Sequence, residues 1–185
     1  MTYRYGDNRL PQIVIIGAGF AGLELVKRLN NTPYRVVLLD KHNYHTFQPL
    51  LYQIASAGLT AESIAYPLRR KIGSFPNVIF RVAEVTSVNT ESKKVQTNIG
   101  DFDYDYLVIA TGATTNFYSN DQLAKLTYTL KSVPEALEMR SAILKQLEAA
   151  VQVAKKQDEH PLNFVIVGGG PTGVELAGAL AEIKK

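Results

Sequence analysis

Gly17, Gly19 and Gly22 stand in the order G-x-G-x-x-G, with Phe20 and Ala21 between the last two, and Asp40 follows 18 positions after Gly22. Each glycine meets a separate demand of a pyrophosphate site. The first permits a tight turn, the second lets phosphate oxygens approach the backbone, and the third lets a helix pack close to the preceding strand. An acid at this distance accepts hydrogen bonds from an adenosine ribose. A bare glycine triplet is weak evidence, so the elements around it decide. Residues 13–16 form a β-rich apolar run, residues up to 30 are amphipathic, and a second apolar run at 35–39 ends on Asp40. Short runs buried on both faces, joined by a glycine turn and a helix, make a βαβ unit. The triplet and acid therefore predict a dinucleotide site at the end of a parallel strand.

The same pattern returns later. Residues 164–167 are an apolar run, followed by Gly168, Gly170 and Gly173, with Pro171 and Thr172 between and Glu175 just beyond. Two such units predict two dinucleotide sites. The sequence given stops at Lys185 inside the second helix, with no second strand and no ribose-binding acid. One strand and one helix cannot form a nucleotide-binding domain, so the second domain is expected to be incomplete and the chain a fragment. Glu175 is expected in the first turn of its helix, where a carboxylate is favoured by the dipole whatever its function.

Between the two units, residues 41–53 mix polar and aromatic side chains, which suits a ligand-lining loop better than a core strand. His42 and His45 lie three apart but lack a third ligand at useful spacing, so the expectation is solvated or ring-packing histidines and no metal. Residues 60–72 resemble a capped helix that Pro67 kinks or restarts, with Arg69, Arg70 and Lys71 on a solvated face. Residues 78–82 read as a strand, and 84–88 and 94–97 alternate as half-exposed antiparallel strands turning at 89–92. A three-stranded meander inserted between parallel strands follows. Residues 106–110 are a buried strand running into Thr111 and Gly112, where a ligand could approach the backbone. Residues 114–128 have no period and read as a crossover. A helix is expected from Val133 to Gln157, with Pro134 in its first turn and Leu137, Ile143, Leu144, Leu147 and Val151 as its apolar stripe. Residues 1–11 read as a short arm or neutral leader.

Composition excludes several classes. The 185 residues are 46% hydrophobic, enough for a sizeable core, and the net charge of +3 is spread along the chain without a basic-aromatic array. No nucleic-acid partner is expected. There is no cysteine, which rules out a disulfide framework, a Cys redox pair and thiolate metal sites. No secretory core or spanning apolar run is present, so the chain is expected to be soluble.

Residues 13–22, residues 38–53 with His42, Asn43, Tyr44, His45, Thr46, Phe47, Gln48, Pro49, Leu50, Leu51, Tyr52 and Gln53, residues 109–112 and residues 165–175 together resemble the amino-terminal half of a type II NADH:quinone oxidoreductase. The 43–53 stretch is far more specific than either glycine turn. Disulfide reductases of similar architecture carry a redox cysteine pair after the first βαβ unit, which this chain lacks. The resemblance implies an α/β, FAD/NAD(P)-binding Rossmann-like parallel sheet with an inserted antiparallel meander and a second, incomplete Rossmann-like domain. It implies an FAD-binding part over 1–115, a crossover and helix over 116–160, and the start of an NADH-binding domain over 161–185. FAD is implied at the first turn, with Gly17, Gly19, Phe20, Ala21 and Gly22 around the pyrophosphate, Asp40 on the ribose and Lys41 at the adenosine end. Val82 or Ala83 is implied at the adenine, Thr46, Phe47, Gln48 and Pro49 near the flavin ring, and Thr111 and Gly112 at the pyrophosphate or ribityl side. NADH is implied at Gly168, Gly170, Pro171, Thr172 and Gly173, with Glu175 near nicotinamide and flavin.

The implied activity is NADH dehydrogenation with electrons delivered to a membrane quinone. In the parent protein this takes place at the cytoplasmic face of the inner membrane, through a peripheral carboxy-terminal attachment. A homodimer is compatible with it. The 185 residues alone are not expected to complete that turnover. Two alternatives stay open: another flavin-dependent NAD(P)H reductase, such as a ferredoxin or rubredoxin reductase, and a non-catalytic dinucleotide-binding module. The 43–53 loop favours the quinone enzyme over the first.

Overall fold

The computed structural model describes residues 2–3, 10–154 and 162–183. The chain begins β1 (Thr2–Tyr3), β2 (Gln12–Ile16), α1 (Phe20–Arg28), β3 (Arg35–Asp40), β4 (Tyr44–Thr46), α2 (Leu51–Ala55), β5 (Ala65–Pro67), α3 (Leu68–Ile72) and β6 (Val78–Val82). It continues β7 (Val85–Asn89), β8 (Lys94–Thr97), β9 (Gly100–Asp103), β10 (Tyr106–Ile109), α4 (Asp121–Leu126), α5 (Val133–Ala154) and α6 (Pro171–Ile183). It divides into two compact units, one of Met1–His45 with Tyr66–Ala113, the other of Thr46–Ala65 with Thr114–Lys185.

In the first unit four parallel strands lie in the order β10-β2-β3-β6. Successive side chains of a strand point to opposite faces, so β2 and β3 serve two cores. Ile13, Ile15, Val36 and Leu38 pack with Leu23 and Val26 of α1 and Leu68 and Ile72 of α3. Val14, Ile16, Val37 and Leu39 pack instead with Val95 and Phe102 of the meander. Burial on both faces is why these runs are continuously apolar rather than alternating. The α/β reading, with a parallel sheet and an inserted meander, therefore holds, but β10 is not the buried strand expected: Tyr106 and Ile109 are exposed because it is the edge strand of this sheet.

The meander is β7-β8-β9, antiparallel throughout, with the Ser92 amide donating to Asn89 Oδ1 at 2.9 Å in the expected turn. Its third strand is β9, too short and polar to show alternation in the sequence, and not the expected 78–82, which joins the parallel sheet as β6. The neutral-arm reading of residues 1–11 needs correction at its start. Thr2 and Tyr3 pair in parallel with Asp101 and Phe102, because β9 would otherwise present an unpaired edge. The other arm residues up to 9 lie outside the described set.

Residues 60–72 do not form one helix. A 3-10 turn at Ala61–Ser63 leads into β5, which pairs with β4, and α3 starts directly after Pro67. Proline lacks the amide a helix interior needs and drives the preceding residue to extended backbone, so the segment breaks there. Arg70 is exposed as expected, while the Arg69 guanidinium lies over the Phe80 ring at 5.3 Å and Lys71 Nζ over Tyr66 at 5.8 Å. The crossover contains one helix the periodicity did not reveal. The six residues of α4 are too few to show a stripe, and their start is marked by Asn120, whose side chain accepts from the Leu123 amide at 2.9 Å.

In the second unit α2, α5 and α6 meet around Ala55, Met139, Ile143 and Leu176. Pro134 does sit in the first turn of α5, and a capping box closes that turn. The Glu135 carboxylate accepts from Ser132 N at 2.9 Å, Lys131 N at 2.7 Å and Thr129 Oγ1 at 2.7 Å, while Ser132 Oγ accepts from Glu135 N at 3.4 Å. The expected stripe is only partly buried. Ile143 is buried and Leu147 packs against the same cluster, and Val133, Ala136 and Met139 are buried too, whereas Leu137, Leu144 and Val151 are exposed, because α2 and α6 cover one narrow face. The helix ends at Ala154 within the described residues, and its expected continuation to Gln157 falls outside them. The expected strand at 164–167 is not formed. A strand exists only when a neighbour completes its ladder, and among the described residues none pairs with it. Among the described residues no helix is long and apolar enough to cross a membrane.

Two outcomes follow from this packing. Phe102 is fully buried between meander and sheet, so Phe102→Ala should lower the unfolding free energy by about 3–5 kcal/mol in urea denaturation. Burial raises the Glu135 pKa, but its hydrogen bonds from Thr129, Lys131 and Ser132 outweigh that and hold the carboxyl below the usual glutamate range. A lowered folded-state pKa adds stability above the unfolded value and loses it as pH falls through the folded one. Glu135→Gln should therefore cost about 1–3 kcal/mol at neutral pH, with the deficit shrinking in melts taken below about pH 4.

Candidate functional site

The carboxyl ends of β2 and β10 meet the start of α1 at a turn that tolerates no side chain in two places. Gly17 has φ +104°, and a Cβ there would lie 2.3 Å from the Ala110 carbonyl oxygen. A Cβ on Gly22 would lie 1.9 Å from the Gly17 carbonyl oxygen. Gly19 is different. A Cβ on it would meet nothing within 4 Å, so no internal packing requires glycine there, and the bare backbone faces open space. The turn is fastened below, with Gly17 N donating to Leu39 O and Ala110 N to Ile16 O, both at 2.7 Å. Helix α1 has no side-chain cap and no acid in its first turn, and Gly19, Phe20 and Ala21 are exposed. Its positive end is thus available to an anion.

Asp40, at the end of β3, faces this turn. Its Oδ2 accepts from Ala18 N at 2.7 Å and its Oδ1 from His42 N at 2.8 Å, while its carbonyl accepts from Ala83 N at 2.8 Å. An ionised carboxylate has about four acceptor positions, so two backbone donors leave room for ribose hydroxyls. The spacing pointed to the ribose role alone; only the folded chain reveals that Asp40 also clasps the glycine turn to β3. The histidines are of the ring-packing kind. His42 stacks on Tyr44 with centroids 5.2 Å apart, and buried His45 meets Phe20 edge-on at 5.1 Å, with its Nδ1 3.0 Å from the Ala18 carbonyl oxygen. Spacing gave His45 no site role, since its partner lies 27 positions away.

The first unit gathers Gly17, Gly19, Phe20, Ala21, Gly22, Asp40, Lys41, Val82, Ala83, Thr111 and Gly112. Of the adenine pair, Val82 is exposed while Ala83 is buried in the core, so Val82 alone offers side-chain surface. Lys41 and Thr111 are exposed, and Gly112 has φ +72° with open space where a Cβ would be. Thr46, Phe47, Gln48 and Pro49 belong to the second unit, the last two in a 3-10 turn at Gln48–Leu50, with Gln48 Nε2 donating to the Lys131 carbonyl at 3.3 Å.

The second glycine turn reproduces the first in local detail. Gly168 has φ +110°, a Cβ on Gly173 would lie 2.2 Å from the Gly168 carbonyl oxygen, and Gly170 faces open space. Pro171 opens α6, where its missing amide costs nothing. Glu175 is the fifth residue of α6, past the first turn where it was expected. The dipole acts mainly within the first turn, so it accounts poorly for a carboxylate there. The matching residue of the first unit is Glu24, whose Oε1 accepts from Arg28 Nε at 3.0 Å and whose Oε2 lies 3.8 Å from Lys27 Nζ. That Arg28 hydrogen bond lowers the Glu24 pKa. In α6 the corresponding positions hold Gly178 and Ala179, and among the described residues no ion pair involves Glu175.

Comparison with known proteins accords with this geometry. The type II NADH:quinone oxidoreductase NdhA of Mycobacterium tuberculosis is 37% identical over 177 residues, covering 93% of this chain and 38% of the relative. The external alternative NAD(P)H-ubiquinone oxidoreductase B3 of Arabidopsis thaliana is 37% identical over 189 residues, covering 94% of this chain and 32% of the relative. The chain thus spans about a third to two fifths of the length of these curated relatives. The structure of NDH2 from Plasmodium falciparum in complex with NADH matches with a TM-score of 0.83 at 29% identity, covering 95% of this chain and 39% of that one. The family model for pyridine nucleotide-disulphide oxidoreductases matches residues 11–185. With two glycine turns of this geometry and a match along nearly its whole length, the chain belongs to the pyridine nucleotide-disulphide oxidoreductase family.

Proposed function

We propose that this chain supplies the FAD-holding part and the first NADH-contacting elements of a type II NADH:quinone oxidoreductase, which passes a hydride from NADH to flavin and electrons on to a membrane quinone. The observation that carries this reading is the bare, acid-free start of α1 beside Asp40, a carboxylate held 2.7 Å from Ala18 N. The similarity of the chain to relatives named as NADH:quinone oxidoreductases supports the substrates. With no cysteine in the chain, the redox cysteine pair of a disulfide reductase is absent.

In this reading the exposed backbone at Gly19, Phe20 and Ala21 binds the pyrophosphate, with Gly17 and Gly22 shaping the turn. Asp40 accepts the ribose hydroxyls and Lys41 lies toward the adenosine end. Val82 borders the adenine, and Thr111 and Gly112 line the pyrophosphate or ribityl side. Thr46, Phe47, Gln48 and Pro49 serve the flavin ring, with Gln48 among the groups nearest the chemistry. Gly168, Gly170, Pro171, Thr172 and Gly173 receive NADH, and Glu175, which has no intrahelical cation partner, stands near the nicotinamide. Bound flavin supplies the hydride-accepting chemistry, and the protein contributes position and electrostatics. Because a membrane quinone is dissolved in the bilayer, the parent protein would work at the membrane surface, at its cytoplasmic face.

Asp40→Asn removes the charge and one of the two backbone-accepting oxygens. It should weaken FAD binding, followed by quenching of flavin fluorescence, by about 10- to 100-fold; an unchanged affinity would remove Asp40 from the site. Residues 164–167 have no ladder partner among the described residues, which argues against an efficient NADH site in this stretch by itself. Accordingly, the flavin absorption bands of the purified 185-residue chain should persist when NADH is added without oxygen. Prompt bleaching, or full quinone-dependent NADH oxidation, would show instead that these residues suffice.

A further inference from the structure

We infer that His45 is a positioning residue for the first glycine turn, holding the Ala18 peptide so that the backbone from Gly19 to Gly22 is set for the FAD pyrophosphate. This rests on the FAD reading above. Residue Ala18 is gripped on both sides: its N–H, in the Gly17–Ala18 peptide, donates to Asp40 Oδ2 at 2.7 Å, and its carbonyl oxygen, in the Ala18–Gly19 peptide, lies 3.0 Å from His45 Nδ1. A carbonyl oxygen only accepts, so Nδ1 carries the hydrogen and donates. His45 is 8% exposed and Ala18 2% exposed, so water competes little for either group. The ring also braces the start of the helix, meeting Phe20 edge-on with centroids 5.1 Å apart and an interplanar angle of 89°.

Gly17 and Gly19 flank Ala18, and glycine is the residue most free to leave a set conformation. The turn therefore needs an external hold on the two peptides that Ala18 joins. Asp40 provides it from β3 and His45 from β4. Removing the imidazole donor would leave a buried carbonyl unsatisfied and the peptide free to rotate. The cost would appear as ordering that binding must then supply.

Two substitutions separate donation from packing. The Asn side-chain nitrogen stands the same number of bonds from Cβ as His Nδ1, so His45→Asn keeps a donor and loses the ring. His45→Phe keeps a ring against Phe20 and loses the donor. Flavin fluorescence quenching should give His45→Asn an FAD dissociation constant within about threefold of the parent chain, and His45→Phe one raised by about five- to tenfold. The reverse order, or equal loss in both, would overturn the inference and leave the FAD reading standing.

Amide hydrogen exchange of the ligand-free chain provides a readout independent of flavin. Exchange at Gly19 to Gly22 should quicken in His45→Phe and not in His45→Asn; equal exchange in the two would also overturn the inference. If the parent chain bound no FAD at all, the FAD reading would fail, and the exchange comparison would still decide whether His45 holds the turn.

Discussion

Helix α1 begins where it does because Gly22 rests against the carbonyl of Gly17, at a distance that a single methyl group would close to 1.9 Å. That approach brings the helix axis down onto β2, seats Leu23 and Val26 on the sheet, and aims the amino end of the helix past the strand end. The site inherits its place from this one packing constraint. If the helix were pushed outward, Ala18 would lose both its bond to Asp40 and its contact with His45.

The sheet beneath is rigid because it is covered twice. Helices α1 and α3 occupy one face and the β7-β8-β9 meander the other, so Val14, Ile15, Val36, Val37, Leu38 and Leu39 are all fully buried. A strand clamped on both sides gives the turn at its end a fixed floor. Three backbone bonds complete that floor: Gly17 N to Leu39 O, Ala110 N to Ile16 O and Ala83 N to Asp40 O. The meander, which carries none of the proposed contacts, is thus part of what keeps them in register.

The two glycine turns show how far local geometry reaches. Gly168 and Gly173 repeat the positive φ and the close approach of Gly17 and Gly22, a Cβ standing 2.2 Å from the carbonyl oxygen in one turn and 1.9 Å in the other. Yet the run before Gly168 forms no strand among the described residues, with Val165 and Val167 exposed, whereas the run before Gly17 is buried throughout. A turn is specified by a few neighbouring residues; a ladder needs a partner from elsewhere. Glu24 and Glu175 make the same point in side chains, since matching positions carry an ion-paired carboxylate in one helix and none among the described residues in the other.

Whatever depends on neighbours along the chain was legible in the residues alone: both glycine turns, the βαβ unit ending on Asp40 with its continuously apolar β2 and β3, the meander turn at Asn89 and the proline-marked start of α5. Their signals are short-range, because backbone conformation and alternating faces repeat every few residues. Which surface each element meets was settled by folding. Leu137, Leu144 and Val151 carried the right period for a buried stripe but face outward, because α2 and α6 reach a different side of α5. Residues 60–72 broke into a turn, a strand and a helix once β4 offered β5 an edge. Ala83 went into the core while Val82 stayed out. Asp40 became a clasp, and His45 came to hold the Ala18 carbonyl. No spacing rule encodes such contacts, since each joins residues that are distant in the chain and adjacent only after folding.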